Sequence, residues 1–171
     1  SPIPAMVHNF PVVTAGLDLT WDIIHELAQH PKIVGTKLSC GNIGKLHRLT
    51  SSDPASKFAT FPGVSDVFLQ GLVSGSAGLI GALPNIAPKA HAELHRLYKA
   101  GKMEEAERLQ GLLGHADWEL TKMGSIAGIK AACVKHFGYG TPVVWGPLDM
   151  VDFDTASTGK LDKLIAFEKS L

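Results

Sequence analysis

The stretch HPKIVGTKLSCGNIGKL, residues 30–46, carries the pattern that decides the fold. Its apolar part, IVGTKL at residues 33–38, is short, as expected of a buried strand. A helical pattern starts near Asn42 directly afterwards. It is expected to turn Ile43, Leu46 and Leu49 inward and Lys45, His47 and Arg48 mostly outward. A strand followed at once by a helix is the repeating unit of a parallel α/β sheet.

The same strand and helix rhythm recurs on both sides of this stretch. The predicted strands are residues 5–10, 33–38, 58–61 and 77–83, and the predicted helices begin near Thr20, Asn42, Ser65 and Lys89. The last strand, AGLIGAL, is apolar on both faces, which is typical of a buried parallel strand and not of a half-solvated antiparallel one. Thr20 is a residue type that can cap a helix start.

Four βα units cannot close a barrel, since a (β/α)₈ barrel needs eight strands and is usually about 250 residues long. The chain of 171 residues is therefore either half of such a barrel or an open sheet. The absence of GxGxxG and P-loop patterns disfavours a nucleotide-binding open sheet. We predict βα units over residues 1–101 and, over residues 102–171, a helical extension packed on the same domain.

Composition excludes several classes of partner. Basic and acidic residues balance at sixteen each, so no net field favours nucleic acid or an anionic membrane. Only Cys40 and Cys133 are present, without CxxC spacing, which argues against disulfides and structural zinc. A reducing compartment fits best: the cytoplasm, with the mitochondrion as the alternative. We predict no metal, since His91 and His95 share a helical spacing but lack the glutamate of a zinc helix.

Lys37 lies at the C-terminal end of its predicted strand, which is the catalytic end in barrels of this type. A lysine enclosed in a barrel either pairs with an anion or loses its proton. The free amine is a nucleophile that can form an iminium with a ketone. The alternative is a lysine that simply reaches solvent.

The chain resembles the dihydrodipicolinate synthase and N-acetylneuraminate lyase superfamily of lysine Schiff-base aldolases. Residues 30–46 are similar to its active-site lysine strand. Other matching stretches are HNFPVVTAGLDL at residues 8–19, GLIGALPNIAP at 78–88, GKMEEAERLQ at 101–110 and IAGIKAACVKHFGYG at 126–140. Within the superfamily, the resemblance points to the fungal 2-keto-3-deoxy-sugar-acid aldolase-like members and the 4-hydroxy-2-oxoglutarate aldolases.

The resemblance implies the C-terminal half of a (β/α)₈ barrel and a class I aldolase acting on pyruvate-like 2-oxo acids without a cofactor. It makes Lys37 the Schiff-base lysine and places the backbone of Ile80 beside the bound substrate. Ser39 and Gly63 correspond to positions near the substrate pocket. Members of this family usually form tetramers, so a homo-oligomer is expected.

Two departures from the family pattern bear on activity. His8 of HNFP stands where the family has its proton-shuttling tyrosine, and it is either a replacement or a change tolerated in an inactive chain. The family's carboxylate-binding Gly-x-Thr-Thr turn has no counterpart in this sequence. Because the chain opens with Ser1 just before a strand, we expect further sequence upstream. Two functions stay open: an aldolase, or a non-catalytic half-barrel that binds or oligomerises through exposed strand edges.

Overall fold

The computed structural model of the protein describes residues 2–52, 57–153 and 159–171. Ser1 and residues 53–56 and 154–158 lie outside the described residues. The chain forms two compact units, Ser1–Gly81 and Ala82–Leu171. The boundary expected between residues 101 and 102 stays a prediction.

The first unit contains a parallel sheet of three strands in the order β1-β2-β3. The strands are β1 (Ala5–Asn9), β2 (Ile33–Leu38) and β3 (Ala59–Pro62). The helices are α1 (Trp21–Ala28), α2 (Ile43–Ser52) and α3 (Phe68–Val73), with short 3₁₀ turns at Pro11–Val13 and Ser65–Val67. The α/β class and the parallel order expected for these strands are confirmed.

One face of this sheet is packed and the other is open. On the packed face, Leu38 joins a core cluster from α1, α2 and the residue that precedes β3. Its other buried members are Ile24, Leu46, Leu49 and Phe58. Burying each of these side chains stabilises the unit by roughly 1.5–3 kcal/mol. Side chains alternate between the faces along a strand, so the neighbours of Leu38 point the other way. On that open face Met6 is 44% exposed.

The fourth strand predicted at residues 77–83 is wrong. Its first residues are irregular and Leu83–Asn85 forms a 3₁₀ turn. The segment still follows β3, because Ala77 N–H donates to Thr60 O (3.0 Å) and Ile80 N–H donates to Pro62 O (3.2 Å). A regular parallel ladder would advance two residues on each side between these bonds, whereas here three residues face two. Gly78, at φ 149°, absorbs the extra residue in a conformation that favours glycine.

Helix starts in the first unit only partly follow the expected capping. Thr20 occupies the N-cap position of α1, but its side chain makes no hydrogen bond to that helix end, so the expected cap is wrong. Asn42 does cap α2, since its Oδ1 accepts a 2.8 Å hydrogen bond from Lys45 N–H. A capping side chain must reach the N–H groups of the first helical turn. Asn42 does so, and Thr20 does not.

All regular elements among the described residues of the second unit are helices, and residues 138–153 form an irregular segment between the last two. After the 3₁₀ turn come α4 (Pro88–Lys99), α5 (Met103–Lys122), α6 (Ile126–Phe137) and α7 (Gly159–Ser170). The two helical patterns predicted after residue 101 and the final helix near residues 160–169 are thus confirmed. None of the described helices has the length and apolar character that crossing a bilayer requires.

Glutamates from neighbouring helices satisfy two helix N-termini in this unit. Glu168 of α7 accepts hydrogen bonds from Lys89 N–H (3.0 Å) and Ala90 N–H (2.8 Å) at the start of α4. Glu119 of α5 accepts from the N–H groups of Lys160 and Leu161 at the start of α7. Carboxylates at these positions pair free N–H donors and oppose the positive end of the helix dipole. The helices are therefore joined by polar bonds as well as by apolar packing.

Candidate active site at the end of the sheet

The strand register places three side chains in a row on the open face. His8 of β1 pairs with Lys37 of β2, and Lys37 pairs with Phe61 of β3. Paired residues of parallel strands point to the same face, so the imidazole, amine and phenyl groups are neighbours there. Lys37 is half-buried and lies one residue before the end of β2. The position predicted for this lysine is therefore the one observed.

The charge of Lys37 acts on His8. The pKa of His8 lies below its ordinary value. Desolvation by partial burial is the larger cause, and the nearby ammonium of Lys37 is the second. A cation beside an imidazole disfavours its protonation. Near neutral pH this histidine is thus a neutral base.

Ser39 lies against His8 at the same end of the sheet. The Ser39 Oγ and His8 Nε2 atoms are 2.9 Å apart, a hydrogen-bond distance. The Ser39 N–H donates to Asn9 O (2.9 Å), which fixes its backbone beside the end of β1. On its other side the His8 ring stacks on Phe10, with centroids 5.5 Å apart. The imidazole is therefore held by both an edge contact and a face contact.

Gly63 approaches Ser39 too closely for any side chain. A Cβ atom built at position 63 would lie 2.2 Å from Ser39 Oγ and 2.7 Å from Ser39 Cα. The Gly63 N–H donates to Leu38 O (2.9 Å), which draws the turn after β3 onto the turn after β2. Glycine is needed here for close approach, since a real Cβ contact is never so short.

Ile80 lies beside the carboxyl end of β3 through its hydrogen bond to Pro62 O. Its side chain is 38% exposed. The structure thus brings His8, Lys37, Ser39 and Gly63 together at one end of the sheet and leaves Ile80 at the neighbouring position. Their roles stay predictions.

Sequence reasoning missed a polar network beneath this site. Lys45, expected to face outward, is buried: its Nζ donates to Asp18 Oδ1 (2.5 Å) and Leu19 O (2.6 Å). Asn9 completes the network by donating to Asp18 (2.7 Å) and accepting from Leu19 N–H (3.0 Å). The pKa of Asp18 lies below its ordinary value. The hydrogen bond from Lys45 is the largest cause, and the hydrogen bond from Asn9 is the next.

The network fixes the loop that follows β1, which ends at Asn9, the residue after His8. The signal for it was present, because Lys45 is four residues before the inward Leu49 and so lies on the same helical face. A lysine on an inward face requires an anion partner. Asp18, placed between the predicted strand and helix, was an available candidate.

The described residues contain no group of three or more histidine, cysteine or acidic side chains that could hold a metal ion. His91 is buried, and its Nδ1 lies 2.7 Å from Ala87 O. Burial is the main cause that lowers the pKa of His91. The histidine thus takes part in the packing of α4.

The sequence profile of the Dihydrodipicolinate synthetase family matches residues 1–160. This chain belongs to the dihydrodipicolinate synthetase family. The L-threo-3-deoxy-hexylosonate aldolase of Hypocrea jecorina is 42% identical to this family member over 147 residues, which cover 82% of the chain and 46% of the relative. The Emericella nidulans protein named "Probable 4-hydroxy-2-oxoglutarate aldolase, mitochondrial" is 46% identical over 140 residues, covering 82% and 45%. The chain spans about half the length of these relatives.

Solved structures of the dihydrodipicolinate synthetase family agree with the fold. A family protein of Coccidioides immitis superposes with a TM-score of 0.76 at 32% identity, covering 100% of this chain and 57% of that one. A Thermus thermophilus protein described as a dihydrodipicolinate synthase superposes with a TM-score of 0.84 at 25% identity, covering 98% and 57%. The expected fold class, part of a (β/α)₈ barrel followed by a helical part, is confirmed.

Proposed function

We propose that this chain supplies the Schiff-base half of a class I aldolase that cleaves or forms 2-oxo acids, with Lys37 as the nucleophile. The observation that carries the proposal is the juxtaposition of Lys37 with His8 at the carboxyl end of the sheet. An amine that reacts with a carbonyl needs a proton acceptor and donor close by. His8, neutral and hydrogen-bonded to Ser39, is suited to that task.

The proposed cleavage needs no cofactor. The Lys37 amine attacks the C2 carbonyl, whose oxygen leaves as water, and an iminium forms. The C3–C4 bond then breaks; its electron pair enters the C2–C3 bond, and the C4 hydroxyl loses its proton as an aldehyde departs. The resulting enamine takes a proton at C3, and hydrolysis releases pyruvate or a related acid from Lys37. Each step requires one proton to be moved by a nearby group.

The substrate class is inferred from the relatives and the site together. The two curated relatives are named as aldolases of 4-hydroxy-2-oxoglutarate and of an L-threo-3-deoxy-hexylosonate. Both names describe a 2-oxo acid with a hydroxyl group, and Ser39 offers a hydroxyl beside His8. We place Ile80 and Gly63 next to the bound acid. A cytoplasmic or mitochondrial location, the latter from the name of the Emericella relative, is part of the same proposal.

Reductive trapping tests the nucleophile. The chain is joined behind the N-terminal half of the Emericella nidulans relative to complete the barrel, incubated with pyruvate and reduced with borohydride. We expect one added ligand mass, on the peptide that contains Lys37. The chain by itself is expected to trap poorly, because positioning of the substrate supplies much of the rate. A label on another lysine, or none in the completed barrel, overturns the proposal.

A second candidate, self-association of the chain, is favoured by the open side of the sheet. Among the described strands β1 is an edge, and Ile3 (68% exposed) and Met6 (44% exposed) leave apolar surface there. Such edges and faces pair readily with another copy. We expect sedimentation velocity to show association that weakens in Met6→Lys but not in Val73→Lys, a control on α3 that is 60% exposed. A monomer at every concentration contradicts this candidate.

A further inference from the structure

The imidazole of His8 contacts the hydroxyl of Ser39 in the structure. Together the two groups can accept and donate a proton, as the hydroxyl of a single tyrosine can. We propose that Ser39 is a catalytic residue that relays the proton of the aldolase reaction to His8 and also holds the imidazole in place, so that the Ser39–His8 pair moves the proton. This inference rests on the proposed function, because it names the group that handles the proton in that same site. Ser39 is thereby given a role beyond contact with the substrate.

The geometry restricts the imidazole to one orientation. Ser39 Oγ holds the Nε2 edge at 2.9 Å, while Phe10 covers a face with ring planes inclined by 25°. A ring fixed at an edge and a face cannot rotate freely, and fixed orientation is what proton transfer requires. His8 therefore acts from a defined place next to Lys37.

The backbone around Ser39 is arranged for this contact. Hydrogen bonds from Ser39 N–H to Asn9 O and from Gly63 N–H to Leu38 O bring the three strand ends together. The space that the Ser39 side chain occupies exists only because position 63 has no Cβ. The absence of a side chain at Gly63 therefore allows the Ser39 hydroxyl to lie where it contacts His8.

With neutral His8 protonated at Nδ1, the Ser39 hydroxyl donates to Nε2. When the C4 hydroxyl of the substrate gives its proton to Ser39 Oγ, the original Ser39 proton passes to Nε2, leaving a neutral serine and an imidazolium. The electron pair of the O–H bond forms the C4 carbonyl as the C3–C4 bond breaks. The imidazolium returns its proton through Ser39 to C3 of the enamine, which restores both residues.

The first test needs no catalysis and uses the chain alone. Nitrogen-15 NMR of the imidazoles reports which ring nitrogen carries the proton, with His8 assigned by the signal that disappears in His8→Gln. We expect the Nδ1–H form of His8 in the parent chain and a shift toward the Nε2–H form in Ser39→Ala, while Ser51→Ala, which removes a hydroxyl bonded to the backbone of α2, leaves it unchanged. The same spectrum with and without the Ser39 hydroxyl overturns the inference.

The second test measures cleavage of 4-hydroxy-2-oxoglutarate by the completed barrel. Ser39→Ala is expected to lower kcat about tenfold or more with little change in KM, and the double variant with His8→Gln to be no slower than His8→Gln alone. The rise of kcat/KM with pH that follows deprotonation of His8 should disappear in His8→Gln. A raised KM with unchanged kcat in Ser39→Ala would mean that Ser39 only binds substrate. Failure of borohydride trapping in the parent would instead reject the aldolase function and leave the NMR result standing.

Discussion

Lys37→Arg in the completed barrel is expected to abolish the borohydride-stable pyruvate adduct and to lower the rate of 2-oxo acid cleavage about a thousandfold or more. The guanidinium keeps the positive charge and the length of the side chain, but it stays protonated and cannot form an imine. Mass spectrometry of the reduced protein and a coupled assay of pyruvate release measure the two effects.

Lys32→Arg is the matched control, since Lys32 is exposed and directly precedes the same strand. It should trap pyruvate and turn over at the parental rate. Equal loss in both variants would point to general damage of β2. Retained activity in Lys37→Arg would remove the nucleophile from the proposed mechanism altogether.

Gly63→Ala is expected to destabilise the first unit by about 3 kcal/mol, the upper range for a side chain forced into a packed site. The new Cβ would meet Ser39 Oγ at 2.2 Å and the Ser39 backbone at 2.7–2.8 Å, and backbone atoms cannot move away as a flexible side chain can. Urea denaturation followed by circular dichroism measures the loss. The same shift should separate Ser39 from His8.

Two companion variants make this result specific. Gly111→Ala places the same methyl on α5, where nothing lies within 4 Å, and should stabilise the protein by up to about 1 kcal/mol through helix propensity. Combining Gly63→Ala with Ser39→Gly removes the 2.2 Å contact but keeps the one with Cα, so stability should return only in part. If Gly63→Ala unfolds at the same urea concentration as the parent, the close approach of Gly63 to Ser39 is not a constraint in solution.

The sequence was sufficient to predict the strand that carries Lys37 and its neighbours because parallel strands have a simple alternation. Once IVGTKL is a strand, Lys37 must point away from Leu38, and the two faces follow. Strands that follow one another in βα units also end at the same edge of the sheet, which brings the ends of β1, β2 and β3 together. The site is the direct product of these two rules.

The missed features depend on tertiary contacts that no local pattern contains. The AGLIGAL segment has the composition of a strand, yet one surplus residue against β3, absorbed at Gly78, breaks the ladder. Lys45 was assigned to solvent because lysine usually is there, whereas Asp18 and Leu19 O, 27 and 26 residues away, provide its partners. The His8–Ser39 contact spans 31 residues and depends on the register between strands.

The carboxylate of Glu168 has a consequence for how the chain folds as it is made. It satisfies the first turn of α4 from 78 and 79 positions further along, so these N–H groups lack this carboxylate until α7 has been synthesised. Contacts of such long sequence separation form late, because a large loop must close first. Until α7 has folded against α4, water must satisfy the N-terminus of α4, and the helical unit gains its full stability only once Glu168 is in place.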